Sequence, residues 1–342
     1  MSLGSSTLHS LDTKLKVAAA KGFLGVELYW DDLFQYSLPI RNTISPHTLP
    51  ETTESSLAVL LAAADIAKLA AGLHLKIISL QPFRNFDGLR NPDLREERLA
   101  EFKLWVATAR QLGTNVIGVP STLPTVKSAD YTGNRDAAAA DLAVLARLAK
   151  RLGVRIAYEN LCFAAHVKDW EQAWDRIQLA GEPKQLLFLP DTFNICGQTY
   201  MNPEDPSGRT PDGAVNLQAS LQNLINTVPM HRMPLLQVAD AELLDSPLTS
   251  DHPWRKETGL TPLMALSRNA RLFPFEETGY LPVLSVIQAL VSAGWEGWVS
   301  MEVFSRTTQV EGERTIWEHA ERAWRSWEKL ANFMGWQVQP VA

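Results

Sequence analysis

The stretch Gln185-Leu-Leu-Phe-Leu-Pro-Asp-Thr-Phe-Asn194 points to the fold. Its apolar run, 186–189, has the length of a buried strand, and Pro190 ends the run. Asp191 follows at once, and α/β proteins place their chemistry just past the ends of buried parallel strands. An isolated Asp at such a place more often caps the segment that follows. A functional role for Asp191 therefore requires that other strands end in acids as well.

The composition is that of an ordinary globular protein, with 342 residues, 46% hydrophobic and 20% charged. A net charge of -6 without a basic run argues against a nucleic-acid partner. Two cysteines are too few for a disulfide framework and favour a reducing compartment. The sequence has no signal-peptide pattern, and no apolar stretch looks long enough to cross a bilayer. We therefore predict a cytoplasmic enzyme that acts on a small molecule and has no membrane partner. The sequence allows an oligomer and does not fix the oligomeric state.

Predicted strands alternate with predicted helices along the whole chain. The seven strands are 25–30, 75–81, 115–119, 155–159, 186–189, 234–238 and 298–303. The eight helices are 11–21, 56–74, 93–112, 136–152, 169–179, 212–227, 281–293 and 311–334. This alternation predicts a parallel sheet, and a (β/α)8 TIM barrel fits the length best. The alternative is an open doubly wound sheet, which no G-x-G-x-x-G turn supports.

Three stretches depart from the regular alternation. Residues 38–55 are polar and contain three prolines, so we predict an insertion loop. Residues 240–280 show no clear periodicity, and we expect a long insertion over the barrel mouth of a single domain, residues 1–342. The remaining barrel strand should lie before Leu11, where no strand is predicted, so the first strand is expected to be missing or truncated. Such a barrel would have two unpaired edges and lower stability.

Polar oxygen ligands stand at the ends of four successive predicted strands. These residues are Glu159, Asp191, Gln237 and Glu302. In a barrel, the carboxyl ends of the strands converge on one mouth. Three carboxylates and an amide oxygen form a hard ligand set for a divalent metal ion such as Mg²⁺, Mn²⁺ or Co²⁺. The alternative is a solvated acidic rim, but without a cation the converging carboxylates would repel one another.

A metal ion of this kind acts as a Lewis acid and stabilises the enediolate formed beside a carbonyl group. The site therefore favours isomerisation, epimerisation or elimination of a polyhydroxylated carbonyl compound. An anionic substrate needs a cation, and an arginine fork suits a carboxylate. Of Arg84, Arg268 and Arg271, the first and second are the better candidates. His9 and Glu27 are candidates for substrate contact and catalysis.

Several stretches together resemble one known family, the 3-dehydroshikimate dehydratases of quinate catabolism, which are xylose-isomerase-like TIM barrels. The resemblance covers nearly the whole chain and rests on the following motifs: Met1-Ser-Leu-Gly4, His9-Ser-Leu-Asp-Thr-Lys-Leu15, Gly25-Val-Glu-Leu28, Leu80-Gln-Pro-Phe83, Ala157-Tyr-Glu159, Leu189-Pro-Asp-Thr-Phe-Asn-Ile195, Gln237-Val-Ala-Asp240, Ser267-Arg-Asn-Ala-Arg-Leu-Phe273, Gly279-Tyr-Leu-Pro-Val283 and Glu296-Gly-Trp-Val-Ser-Met-Glu-Val-Phe304.

The resemblance implies the same four metal ligands and a defined reaction. This reaction is the dehydration of 3-dehydroshikimate to protocatechuate: the ketone at C3 acidifies the C4 proton, the C5 hydroxyl leaves as water, and a further proton loss makes the ring aromatic. We expect substrate contacts at Gln81, Arg84, Asn194 and Arg268, and catalytic roles for His9, Glu27 and Glu159.

The general base stays open at this point. Some relatives carry a histidine two residues after the first ligand or three after the second, where this chain has Leu161 and Asn194. The candidates are His9, Glu27, a hydroxide on the metal and a lid residue. Alternative functions are a sugar or hydroxy-acid isomerase or epimerase on the same barrel, and a non-catalytic remnant that binds its ligand without turnover.

Overall fold

The computed structural model describes residues 1–44 and 51–337. Its strands are β1 (Gly25–Tyr29), β2 (Lys76–Gln81), β3 (Val116–Pro120), β4 (Arg155–Glu159), β5 (Leu186–Phe188), β6 (Leu235–Val238), β7 (Asp240–Ala241), β8 (Arg271–Leu272) and β9 (Trp298–Met301). Its helices are α1 (Leu11–Lys21), α2 (Trp30–Arg41), α3 (Glu51–Gly72), α4 (Pro92–Gln111), α5 (Arg135–Lys150), α6 (Trp170–Leu179), α7 (Thr192–Tyr200), α8 (Gly213–Thr227), α9 (Pro253–Lys256), α10 (Pro262–Asn269), α11 (Val283–Ser292) and α12 (Glu313–Met334).

The barrel strands, β1 to β6 and β9, are parallel and follow one another in chain order. Strands β1 to β5 pair in chain order, and a parallel bridge between Asp191 and Gln237 continues the sheet from β5 to β6. Strand β6 then pairs with β9 in parallel. Parallel strands with helical crossovers are buried on both faces, which explains their nearly continuous apolar sequences. The predicted α/β barrel fold is confirmed.

The barrel interior is apolar at the amino ends of the strands. An inward-facing layer there is formed by six residues of β2 to β6 and of the segment just after β5, packed against Trp298 of β9: Ile78, Val116, Ala157, Leu187, Leu189 and Leu235. The alternate residues of the same strands, such as Ile156 and Tyr158 of β4, belong to the larger core between the sheet and the helices. This two-residue alternation sends Ala157 and Glu159 inward, so the acid reaches the barrel mouth from above an apolar layer.

A cleft separates β1 from β9, which do not pair with each other among the described residues. The cavity there has a volume of about 150 Å³ and is lined by both strands and by residues of α1. The Ser2 hydroxyl bridges the β9 edge, donating to the Met301 carbonyl at 2.9 Å and accepting from the Val303 amide at 2.9 Å. Residues 1–10 form turns, and the expectation about a first barrel strand stays a prediction.

The predicted loop at 38–55 is wrong for residues 38–41 and 51–55, which are helical, whereas residues 42–44 form a turn. Helix α2 continues to Arg41 and α3 begins at Glu51, whereas residues 45–50 lie outside the described part. Pro39 lies inside α2, close to its end, because a proline in the last turn interrupts little of the helix that remains. Pro39 therefore gave a misleading signal for a loop.

Two further predictions about irregular chain need correction. Helix α7 is missing from the predicted helices, because its nine residues are too few to show a clear period. The stretch 240–280 contains α9, α10 and an antiparallel pairing of β7 with β8. These elements are two to eight residues long, which explains why no periodicity was visible.

Helix α3 also bears on the question of membrane spans. Within the described residues, Thr52–Gly72 is one helix long and apolar enough to cross a membrane, with a mean hydropathy of 1.5. The prediction that no stretch has this length and composition is therefore wrong. The signal is weak, because a core helix of a globular protein passes the same test. Ala58, Ala62 and Ile66 of this helix are buried, and α3 packs against α2, α4 and β2.

Candidate metal centre and active site

Three carboxylates meet at the carboxyl end of the barrel. Glu159 is the last residue of β4, Asp191 lies beyond β5, and Glu302 follows β9. One oxygen from each lies within 4.8 Å of the others, and all three residues are buried. The Glu302 amide donates to the Val238 carbonyl at 3.0 Å, which extends the pairing of β6 with β9 and fixes this acid beside the others. The predicted convergence of strand ends brings these acids together.

Gln237 adds an amide to this acidic cluster, which we define as Glu159, Asp191 and Glu302. Its Nε2 donates to Glu302 Oε1 at 3.0 Å. Its Oε1 is buried and has no hydrogen-bond partner among the described residues. A buried amide oxygen without a donor costs free energy, and a cation would satisfy it. The fourth predicted ligand therefore offers the atom that a metal ion requires.

Asp191 uses its two oxygens for different purposes. Oδ1 accepts a hydrogen bond from the Phe193 amide at 2.8 Å and caps α7. Oδ2 accepts from Arg271 Nη1 at 2.8 Å and from Asn194 Nδ2 at 2.7 Å. The helix cap and the cluster member, which the sequence presented as alternatives, are therefore the same residue.

Arg271 is the main charged residue of the site that the sequence analysis undervalued. It is 1% exposed, and Nη1 lies 2.8 Å from Asp191 Oδ2 and 3.1 Å from Glu302 Oε2. Its Nε donates to Ser267 Oγ at 3.2 Å, and its guanidinium lies 4.3 Å from the centre of the Phe193 ring. No pattern in the sequence singled it out, because Arg271 lies beyond the end of α10, in the two-residue strand β8.

The cluster holds more negative charge than its arginine can offset. Burial raises the pKa of Glu159 well above its ordinary value, and repulsion from Glu302 and Asp191 adds to this increase. Burial raises the pKa of Glu302 to about 7 although Arg271 opposes the shift. Burial also raises the pKa of Asp191, again against the effect of Arg271. A divalent cation would stabilise the ionised forms of all three.

A cavity of about 50 Å³ opens beside the cluster at the barrel mouth, and Arg84, Arg268 and Arg271 all line it. Arg84 contacts the Tyr29 hydroxyl and lies 3.6 Å from Asp31. Arg268 is exposed at the rim. Burial raises the pKa of Tyr29 to about 12, so this phenol is neutral. The two favoured arginines therefore lie at the same opening as the acids.

Gln81 and Asn194 hold the cluster from two sides. Gln81 lines the mouth cavity and donates to Glu302 Oε1 at 3.0 Å. Asn194 is buried and donates to Glu159 Oε1 at 2.7 Å as well as to Asp191. Its own oxygen accepts from the Cys162 amide at 3.0 Å. These contacts give Asn194 a supporting position behind the acids, and its substrate contact stays a prediction.

The two predicted proton acceptors lie away from the mouth cavity. His9 is buried, packs against Gly4, and neither ring nitrogen has a hydrogen-bond partner among the described residues. Glu27 points into the barrel, where it accepts from Ser79 Oγ at 2.7 Å and from Gln237 Nε2 at 3.1 Å. Neither residue lines the mouth cavity, and their catalytic roles stay predictions.

Comparison with known proteins identifies the family. The profile described as "Xylose isomerase-like TIM barrel" matches residues 15–327. The chain belongs to this family. Within it, the chain groups with the 3-dehydroshikimate dehydratases, because a protein of that name from Neurospora crassa is 38% identical over 338 residues, covering 96% of this chain and 91% of the relative.

Solved structures of xylose isomerase-like barrels share the fold at low identity. A fusion of such a barrel with 4-hydroxyphenylpyruvate dioxygenase has a TM-score of 0.67 at 23% identity, over 98% of this chain and 44% of that one. The IolI protein, described with a bound zinc atom, has a TM-score of 0.65 at 17% identity, over 95% and 94% of the two chains. At these identities the similarity establishes the fold alone.

Proposed function

We propose that this protein is a metal-dependent 3-dehydroshikimate dehydratase that produces protocatechuate. The observation that supports it most directly is the acidic cluster with its free amide oxygen, next to a mouth cavity lined by three arginines. The Neurospora crassa relative is named for this activity. The reaction class is therefore that of a hydro-lyase acting on a small carboxylated ring.

The residues present fit a divalent metal ion. Glu159, Asp191 and Glu302 would supply carboxylate oxygens, and Gln237 would supply its Oε1. This oxygen-only set suits Mg²⁺, Mn²⁺ or Co²⁺. A bound ion would act as a Lewis acid on the ketone and its neighbouring hydroxyl.

The arginines of the mouth would hold the carboxylate of the substrate. Arg84 and Arg268 line the same cavity, the first from the segment after β2 and the second from α10. A bidentate arginine contact would orient the ring and exclude a neutral sugar, which has no group to offset these charges. We also propose that the segment 240–280, which contributes Arg268 and Arg271, covers the mouth of a single-domain barrel.

The proton transfers need an acceptor for the C4 proton and a donor for the departing C5 hydroxyl. His9 and Glu27 are the proposed acceptors, and Glu159 is the proposed third catalytic residue. Each would act on substrate held between the arginines and the cluster. The alternative function, an isomerase or epimerase on the same barrel, would use the same acids but would not need the arginines. The proposal includes a cytoplasmic location, and it is compatible with assembly into an oligomer.

Purified protein should convert 3-dehydroshikimate to protocatechuate when Mg²⁺, Mn²⁺ or Co²⁺ is added after chelation, as followed by ultraviolet absorbance. Glu302→Gln should remove the activity. Asp87→Asn is the matched control, because Asp87 is a buried acid that binds Thr122 and Tyr158 outside the cluster. No product with any of the three ions, from protein with a folded circular-dichroism spectrum, would refute the proposed activity and favour the non-catalytic alternative.

A further inference from the structure

The amide of Gln237 is held in one orientation by two carboxylates. Its Nε2 lies 3.1 and 3.3 Å from the two oxygens of Glu27 and 3.0 Å from Glu302 Oε1. An amide nitrogen has two hydrogens, and these acceptors take both. If the amide were turned over, its oxygen would face two carboxylates with no proton between them. Glu27 and Glu302 therefore direct Oε1 of Gln237 away from themselves.

Glu27 is placed for this contact by its own strand pair. It is the register partner of Ser79 across β1 and β2, next to a register shift at Val26. Ser79 Oγ donates to Glu27 Oε2 at 2.7 Å, which fixes the carboxylate between the barrel wall and Gln237. Glu27 is not a member of the acidic cluster. The three carboxylates of that cluster each have one oxygen within 4.8 Å of the others. Its position is therefore behind a ligand and not among the ligands.

We infer that Glu27 is a positioning residue, which acts through Gln237 by turning the amide oxygen toward the metal ion. The inference rests on the metal site proposed above and gives Glu27 a positioning role in addition to the proton transfer proposed there. Partners of this kind fix the orientation of a ligand, and their loss typically costs about 10–100-fold in metal affinity. Ser79 supports the same arrangement one step further back, because it holds the carboxylate of Glu27.

The test is a set of Mn²⁺ titrations on the full-length protein, with free Mn²⁺ measured by electron paramagnetic resonance. Glu27→Gln should weaken Mn²⁺ binding about tenfold, because a glutamine offers one acceptor oxygen in place of a carboxylate. Ser79→Ala should weaken it in the same direction by a smaller factor. Asp87→Asn neutralises another buried acid outside the site and should leave Mn²⁺ affinity within about twofold of the wild type.

A double-mutant cycle separates positioning from simple charge loss. Removing one negative charge near a cation weakens binding through space, and that effect would persist when Gln237 is absent. A contact that acts through Gln237 would disappear with it. Glu27→Gln should therefore change Mn²⁺ affinity by less than about twofold in a Gln237→Ala background. Urea unfolding in the presence of a chelator measures the stability of each variant.

The possible outcomes distinguish the positioning role from the proposed reaction. Wild-type affinity in Glu27→Gln, or an equal loss of affinity in the Gln237→Ala background, overturns the positioning role whether or not protocatechuate is made. Binding of Mn²⁺ without any protocatechuate refutes the proposed reaction, while the cycle still decides the role of Glu27. Failure of the wild-type protein to bind Mn²⁺ overturns both.

Discussion

The two ends of the barrel interior are built from the same strands but hold opposite kinds of side chain. At the amino end, Leu187 and Leu235 pack with Ala157 and their neighbours into an apolar layer. At the carboxyl end, two to four residues further along the same strands, Asp191, Gln237 and Glu159 form a charged and amide-rich layer. The comparison shows how the barrel separates stability from chemistry along each strand. Mutations at the two ends should therefore have effects of different kinds.

The largest expected effect is a loss of activity at the carboxyl end without loss of fold. Asp191→Asn keeps an oxygen that can cap α7 but removes the charge that would bind the metal ion. We expect kcat/KM for 3-dehydroshikimate to fall by about 1000-fold, the scale of losing one charged group at a reacting centre. The variant should keep a folded circular-dichroism spectrum, because Arg271 retains Glu302 as an ion-pair partner. A variant that keeps its activity would show that Asp191 acts only as a cap.

The second largest effect is expected for Arg271→Met, because this substitution leaves two buried carboxylates without their arginine. Breaking a buried ion pair by removing one partner costs about 3–5 kcal/mol. We expect a loss of this size in the free energy of urea unfolding when a chelator is present. Saturating Mn²⁺ should restore more stability to this variant than to the wild type, because the cation replaces the missing charge. Equal Mn²⁺ effects on the two proteins would contradict this account.

The opposite kind of change is expected at the amino end. Leu187→Ala removes a buried side chain from the apolar layer, and such substitutions cost about 2–5 kcal/mol. Urea unfolding should show this loss whether or not Mn²⁺ is present. Mn²⁺ affinity below the unfolding range should be unchanged, since Leu187 lies in the apolar layer, four residues before Asp191. A change in metal affinity would mean that the two ends are not independent.

The smallest predicted effect is a pH dependence of metal binding. The pKa of Glu302 is raised to about 7, so a proton occupies this carboxylate below that pH and must leave when a cation binds. Mn²⁺ affinity should therefore fall as the pH drops below 7, by about tenfold for each pH unit where one proton is released on binding. Mn²⁺ titrations across that range test this prediction, and a flat profile would show that Glu302 is ionised throughout.

The regular parts of the fold could be predicted because each long element has a clear period. Helix α1 begins and ends at the residues predicted, and β4 matches its predicted bounds. The short elements α7, α9 and β7 could not be predicted, because a few residues show no period and their structure depends on tertiary contacts. Pro39 misled the prediction because proline is tolerated near the end of a helix more readily than in its middle.

The acids of the site could be predicted because strand ends in a barrel converge whatever the loops do. Glu159, Asp191 and Glu302 needed only the positions of their strands. Arg271 could not be ranked above Arg84 and Arg268, because the loop that brings it to the cluster has no regular pattern. The orientation of Gln237 also escaped prediction, since it depends on Glu27, a residue more than two hundred positions away in sequence.

The double use of Asp191 couples ligand binding to local unfolding. One oxygen holds the first turn of α7 through the Phe193 amide, and the other faces the cluster. The positive end of the helix dipole lies at the same place and favours the ionised carboxylate. Loss of the charge on Asp191 will therefore weaken the cap of α7 without removing it, and hydrogen exchange at the Phe193 amide reports on the charge of the site without a substrate.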